Sequence, residues 1–131
     1  MTSMALGYAN AAEWIIGTLL NRGKAVNQSL ATGASYTQDV NVGGWDDLSI
    51  AAIMTGAANG DLVVSVFPIF PDGTVGAVSI TPLQSTGPTY AAPNVQYTGN
   101  YDVSGYQKVR ISVKNNNAAT QTLNNFSWQL S

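Results

Sequence analysis

From about residue 24 onward, apolar and polar positions alternate in short runs separated by Gly, Pro, Asn and Asp, the period-two pattern of strands with one buried face. Eight runs read this way, at about 24–30, 35–42, 48–54, 61–70, 75–83, 94–101, 108–114 and 122–130. The alternation is plainest at Leu48, Ile50 and Ala52, and again at Val109, Ile111 and Val113. Turn signals punctuate the runs at Gly43-Gly44, Asn59-Gly60, Asp72-Gly73, Gly87-Pro88, Ser104-Gly105 and the Asn115-Asn116-Asn117 triplet. Short strands so spaced predict an all-β domain over 24–131.

An internal repeat refines that expectation. Shifting the chain by 61 residues lays 36–70 over 97–131 without a gap and gives 8 identities in 35 positions. Tyr36-Thr37 falls on Tyr97-Thr98, Val42 on Val103, Gly44 on Gly105, Ile50 on Ile111, Ala57-Ala58 on Ala118-Ala119 and Leu62 on Leu123. Two equivalent strand–turn–strand–turn–strand units, one per half, are what an eight-strand jelly-roll β-sandwich, a double Greek key, produces. The most similar stretches run from Val42 to Ile50 and from Val103 to Ile111: a strand ends, Gly permits a tight turn, an aromatic follows, and the next strand begins. Trp45 and Tyr106 are therefore expected as aromatic plugs at sheet corners or, alternatively, as platforms for a sugar ring.

The segment 1–23 has a different texture. Asn10 can cap a short amphipathic helix, Glu13 sits three residues on, positions 12, 15, 16, 19 and 20 share a face, and Gly23 can end it. Glu13 and Gly17 interrupt the apolar run, no basic run precedes it, and it is far shorter than the roughly 20 residues of a membrane span, so neither an export signal nor a membrane partner is expected. Such a helix either packs on its own domain or serves as an arm that buries Trp14, Ile15, Ile16, Leu19 and Leu20 on a neighbouring subunit.

Composition narrows the chemistry. Charged residues are only 9% of the 131, whereas Asn, Thr, Ser and Gln together supply 42, so uncharged hydrogen-bonding groups stand where surface charge usually does. The absence of His and Cys excludes an imidazole base, a thiolate nucleophile, the usual zinc ligand sets and disulfides. With Glu13 the single glutamate, paired-carboxylate hydrolysis would rest on six aspartates. No catalytic residue, metal or cofactor is expected, and Asp39, Asp46, Asp47 and Asp61 read as turn carboxylates rather than a Ca²⁺ site. A net charge of −2 with scattered cations leaves no footprint for nucleic acid.

Two further stretches stand out. Phe67 to Gly73 places Pro68 and Pro71 at an apolar strand end, the mark of a sheet edge. Thr81 to Pro93, rich in Pro and small residues and without charge, reads as a long exposed loop whose Tyr90 is a candidate protein contact.

The doubled Val-x-Gly-aromatic element, the Asn-rich turn and the closing Phe126-Ser127-Trp128-Gln129-Leu130 resemble the small jelly-roll structural proteins of tailed bacteriophages. These include capsid decoration (cement) proteins and related fibre-type modules. The resemblance spans about residues 24–131 and implies a passive role on the capsid surface of a virion: a homo-oligomer, often a trimer, that clamps major capsid protein subunits, commonly with a terminal arm. A tail or fibre component would share the fold. Asp102 to Tyr106 also resembles the strand corner of carbohydrate-binding jelly rolls, which implies Trp45, Tyr101 and Tyr106 as the sugar-contacting residues of that alternative.

Overall fold

A computed structural model describes residues 21–131. Eight strands follow in order: β1 (Arg22–Leu30), β2 (Ser35–Asn41), β3 (Asp47–Thr55), β4 (Leu62–Ile69), β5 (Gln84–Ala91), β6 (Asn94–Asp102), β7 (Lys108–Asn115) and β8 (Gln121–Leu130), with one 3-10 turn at Asn59–Asp61. They form two antiparallel sheets, one of five strands in the order β1-β8-β3-β6-β5 and one of three in the order β2-β7-β4. This is the expected eight-strand sandwich. The expected N-terminal helix lies outside the described residues, but its proposed terminator does not: Gly23 is inside β1, opposite Trp128.

The core follows from parity. Leu48, Ile50, Ala52 and Met54 of β3 face inward, as do Val95, Tyr97 and Tyr101 of β6 and Val109, Ile111 and Val113 of β7. Strand β8 breaks the period: Leu123 and Phe126 are both buried although three residues apart. A bulge reconciles them, because the register passes from Ile53↔Asn125 to Met54↔Leu123 and leaves Asn124 between. Its side-chain amide donates to Thr55 Oγ1 at 3.2 Å and Asn94 Oδ1 at 3.0 Å.

The repeat is structural. An offset of 61 superposes β2, β3 and β4 on β6, β7 and β8, so equivalent strands lie in opposite sheets. The two similar turns face each other and exchange equivalent bonds: Val42 N–H donates to Gln107 O at 2.9 Å, and Val103 N–H to Asp46 O at 2.8 Å. Within each turn, Trp45 N–H reaches Val42 O and Tyr106 N–H reaches Val103 O, both at 3.0 Å. The turns differ in one respect, since Gly44 has φ +86° while Gly105 does not need a positive φ.

One expected strand is misplaced. The fifth strand is not 75–83 but Gln84–Ala91, inside the stretch expected to be a loop, and 75–83 is the connection. That connection makes only sparse backbone bonds to the free edge of β4, Gly76 N–H to Pro68 O and Ile80 N–H to Val66 O, with a lone bridge between Val75 and Ile69. Its apolar residues mimic alternation but Val78 is 81% exposed, so burial does not set its period. β5 carries Gly87 and Pro88, which an edge strand tolerates at a register shift between Thr86 and Thr89.

The end of the sandwich opposite the paired turns is closed by amides and one carboxylate. Asn115, fully buried, donates through Nδ2 to Leu30 O at 2.8 Å and Ala119 O at 2.9 Å, and accepts at Oδ1 from Asn117 N–H at 2.9 Å. Asp61 accepts from Ala57 N–H at 2.7 Å, Ala58 N–H at 3.0 Å and Asn117 Nδ2 at 2.8 Å. Those bonds, led by Ala57, hold its carboxyl below the ordinary value of 3.8, against a smaller opposing effect of burial. Replacing Asp61 with Ala should lower unfolding stability by about 1–3 kcal/mol at neutral pH, because three donors lose their partner. A folded-state pKa below the unfolded one means the contribution is complete above the unfolded value and is lost as pH falls through the folded value. Denaturant titrations should therefore show the gap between wild type and Asp61→Ala closing as pH is taken from 5 to below about 3.8.

Candidate functional site

The outer face of the five-stranded sheet carries side chains in transverse rows fixed by strand register. Arg22, Gln129, Ser49, Asn100 and Gln84 stand opposite one another from β1 to β5. Two residues along each strand the next row is Lys24, Ser127, Ala51, Thr98 and Thr86. These two rows line a groove of about 720 Å³. A third row of Val26, Asn125, Ile53, Gln96 and Thr89 continues the face beyond it. Within the first row, Asn100 Nδ2 donates to Ser49 Oγ at 3.1 Å. The aspartates do not converge on this face: Asp39 is in β2 of the other sheet and Asp61 at the closed end.

Beneath the groove the sheet is thinned where two glycines meet large rings. A Cβ at Gly99 would strike the ring of Tyr97, and a Cβ at Gly23 the indole of Trp128. Each aromatic therefore lies flat along the inner surface of its own sheet. The Tyr97 hydroxyl spans Gly99 to reach the hydroxyl of Tyr101 at 2.6 Å. Burial, and then the Tyr97 hydrogen bond, push the Tyr101 hydroxyl well above the ordinary tyrosine range, so it stays protonated.

A second surface lies at the end where the paired turns meet. Among the described residues, eight large apolar side chains are exposed, and five of them, Trp45, Phe70, Val78, Leu83 and Tyr106, belong to connections at this end. Phe70, Gly43 and Gln107 line one hollow there, which joins the 70–83 connection to the two turns. The chain from residues 1–20 joins beside it, since Asn21 O accepts from Leu130 N–H at 2.7 Å.

The residues singled out from sequence separate accordingly. Trp45 and Tyr106 are at equivalent corners, each 36% exposed, half plug and half surface. Tyr101 is only 1% exposed, which corrects its expected place among sugar-contacting residues: it shares the inward parity of Val95 and Tyr97. Tyr90 is exposed on β5, not in a loop, and its N–H donates to Asn59 Oδ1 at 2.7 Å. Trp14, Ile15, Ile16, Leu19 and Leu20 lie outside the described residues. The groove itself was missed because it consists of unremarkable Ser, Thr, Asn and Gln positions that only register assembles.

The one ion pair among the described residues is on the smaller sheet, where Arg110 Nε contacts Asp39 Oδ1 at 2.7 Å and Nη2 contacts Oδ2 at 3.2 Å. The Arg110 hydrogen bond holds the Asp39 carboxyl below its ordinary value. Both groups are substantially exposed, so the pair orients the β2–β7 ladder more than it stabilises the fold.

No protein-family model matches the chain, and no curated protein matches it in sequence. Among solved structures, the SPBc2 prophage-derived protein YomS is similar over 84% of this chain and 93% of its own, at 13% identity and a TM-score of 0.49. The CBM22-1 xylan-binding domain of Paenibacillus barcinonensis Xyn10C is similar over 82% of this chain and 81% of its own, at 16% identity and a TM-score of 0.45. The family GH115 glucuronidase BtGH115A is similar over 76% of this chain but 14% of its own, at 10% identity and a TM-score of 0.44. These are likenesses of chain path and assign no residue a role.

Replacing Tyr101 with Phe leaves the buried Tyr97 hydroxyl without its partner and should cost about 1–3 kcal/mol of stability in denaturant unfolding. The exposed surface is untouched by this change, so tryptophan emission of the folded variant should match wild type.

Proposed function

We propose that this chain is a non-enzymatic virion structural protein, a capsid decoration protein that sits on the outer lattice and holds adjoining major capsid subunits together. The observation that carries this reading is that five of the eight exposed large apolar side chains among the described residues fall in the connections at one end of the sandwich. Leu83 is 61% exposed and Phe70 51%, while the connections at the opposite end are small or polar and tied down by Asn115, Asn117 and Asp61. A body with a concentration of exposed apolar groups at one end and few charges suits attachment to a protein surface, where charged residues are disfavoured at the contact centre. A standard contact of this kind buries about 1,200–2,000 Å² in total.

The N-terminal segment belongs to the same proposal. It joins at the apolar end, and Trp14, Ile15, Ile16, Leu19 and Leu20 would add their surface to the contact as an arm. Assembly as a trimer would place three such ends against the lattice at once, raising avidity far above that of a single contact.

The test is co-sedimentation of the purified full-length chain with capsids from which decoration has been stripped. The expected result is saturable binding at a fixed copy number, with a solution mass three times that of the chain by light scattering. Phe70→Ser combined with Leu83→Ser should melt as wild type does and remain in the supernatant. A wild-type chain that stays in the supernatant, or a double variant that sediments like wild type, would overturn the reading.

A further inference from the structure

We infer that the groove on the outer face of the five-stranded sheet is a second, independent binding site, which takes a polysaccharide segment and directs an acidic sugar substituent towards its β1 side.

The chemistry of the groove selects the ligand class by elimination. Strands β8, β3 and β6, which form its floor, are hydrogen-bonded on both sides, so no backbone group is free to pair with an extended peptide. Its outward side chains end in hydroxyl, amide and, at β1, cationic groups, with Ala51 the one outward aliphatic; Ile50 and Trp128 also line it but are only 3% and 8% exposed, which favours a polar ligand over a lipid chain or an apolar helix. Cations occur only at the β1 side, as Arg22 and Lys24, which is too few for a nucleic acid backbone. A ligand that presents many hydroxyls fits this lining well, because each Ser, Thr, Asn and Gln both donates and accepts and so can meet a hydroxyl in either sense.

Shape agrees with chemistry. Four inter-strand steps of about 4.8 Å give the groove a length of roughly 19 Å across the sheet, enough for a run of sugar rings rather than one. The first row is partly pre-organised, since the Asn100 amide is already held by Ser49. Arg22 and Lys24 line the β1 side of the groove, where a carboxylate on the ligand would meet two cations. The exposed aromatics Trp45 and Tyr106 belong to the turn end and do not line the groove, which distinguishes this site from stacking at the sheet corner. Hydrogen bonds without stacking give weak single-site binding, which a multivalent particle would amplify.

Affinity electrophoresis of the full-length chain through gels containing arabinoxylan, galactan, mixed-linkage glucan or polygalacturonate tests the assignment. At least one polysaccharide should retard the wild-type chain. Ala51→Arg and, from the neighbouring strand, Thr98→Arg fill the groove with an outward side chain, and each should weaken retardation about tenfold or more while keeping the wild-type melting transition. Arg22→Ser should weaken retardation by the uronate polymer and leave the neutral ones unchanged. Absence of retardation by all four polymers would overturn the inference. So would undiminished retardation of both folded groove variants, and loss in Trp45→Ala alone would move the glycan to the corner. Capsid co-sedimentation is read separately, so the failure of either site leaves the other standing.

Discussion

The buried amide of Asn115 is the interaction on which the closed end of the sandwich depends. It satisfies the last carbonyl of β1, fixes the turn that leads into β8, and accepts from the turn's own backbone, while its main chain bonds Gly33 and Ala34. Two connections, β1–β2 and β7–β8, thus share one side chain. An apolar residue there would leave two carbonyls and one N–H unpaired away from water, and a charged one would have to be buried. The neighbouring Asp61 and Asn117 extend the same network to the 3-10 turn, so the whole end is set by polar groups with fixed geometry rather than by packing alone.

This division of labour frees the rest of the surface. Because one end and the core hold the sheets in register, the outer face can carry rows of side chains that contribute nothing to folding, and the opposite end can expose aromatic and aliphatic groups that a self-sufficient domain would bury. Register converts scattered Ser, Thr, Asn and Gln residues into an ordered surface. The scarcity of charge has a use in the same terms: a neutral face carries little desolvation penalty when a neutral ligand or a protein covers it.

Seven of eight strands were legible because burial on one face imposes a period of two, and that period is written directly in residues such as Leu48, Ile50, Ala52 and Met54. β5 was not legible because it is an edge strand, exposed and interrupted by Gly87-Pro88, so no burial constraint marks it. The 75–83 stretch misled for the complementary reason: Ile80 packs against the core but Val78 points into solvent, and hydrophobic character without a regular buried face gives a false strand. The buried position of Tyr101 could have been read from its parity with Val95 and Tyr97. The groove could not, since cross-strand neighbours such as Gln129, Ser49 and Asn100 are brought together by pairings that no local pattern encodes. The apolar end was half visible, with Trp45 and Tyr106 marked by the repeat, Phe70 within the proline-marked edge, and Leu83 placed in a strand that does not form.

The exchange of sheets between the two repeats has a consequence for how the chain reaches this structure. None of the first four strands pairs with another of the first four; β1 bonds β8, β2 and β4 bond β7, and β3 lies between β6 and β8. Among the described residues, everything up to the 70–83 connection is therefore without a ladder of its own until the C-terminal half has been made. Each sheet draws strands from both halves, so neither half completes a sheet alone. The halves are two threads of one weave, and the chain acquires its shape late and all at once, at the slow, non-local end of folding behaviour.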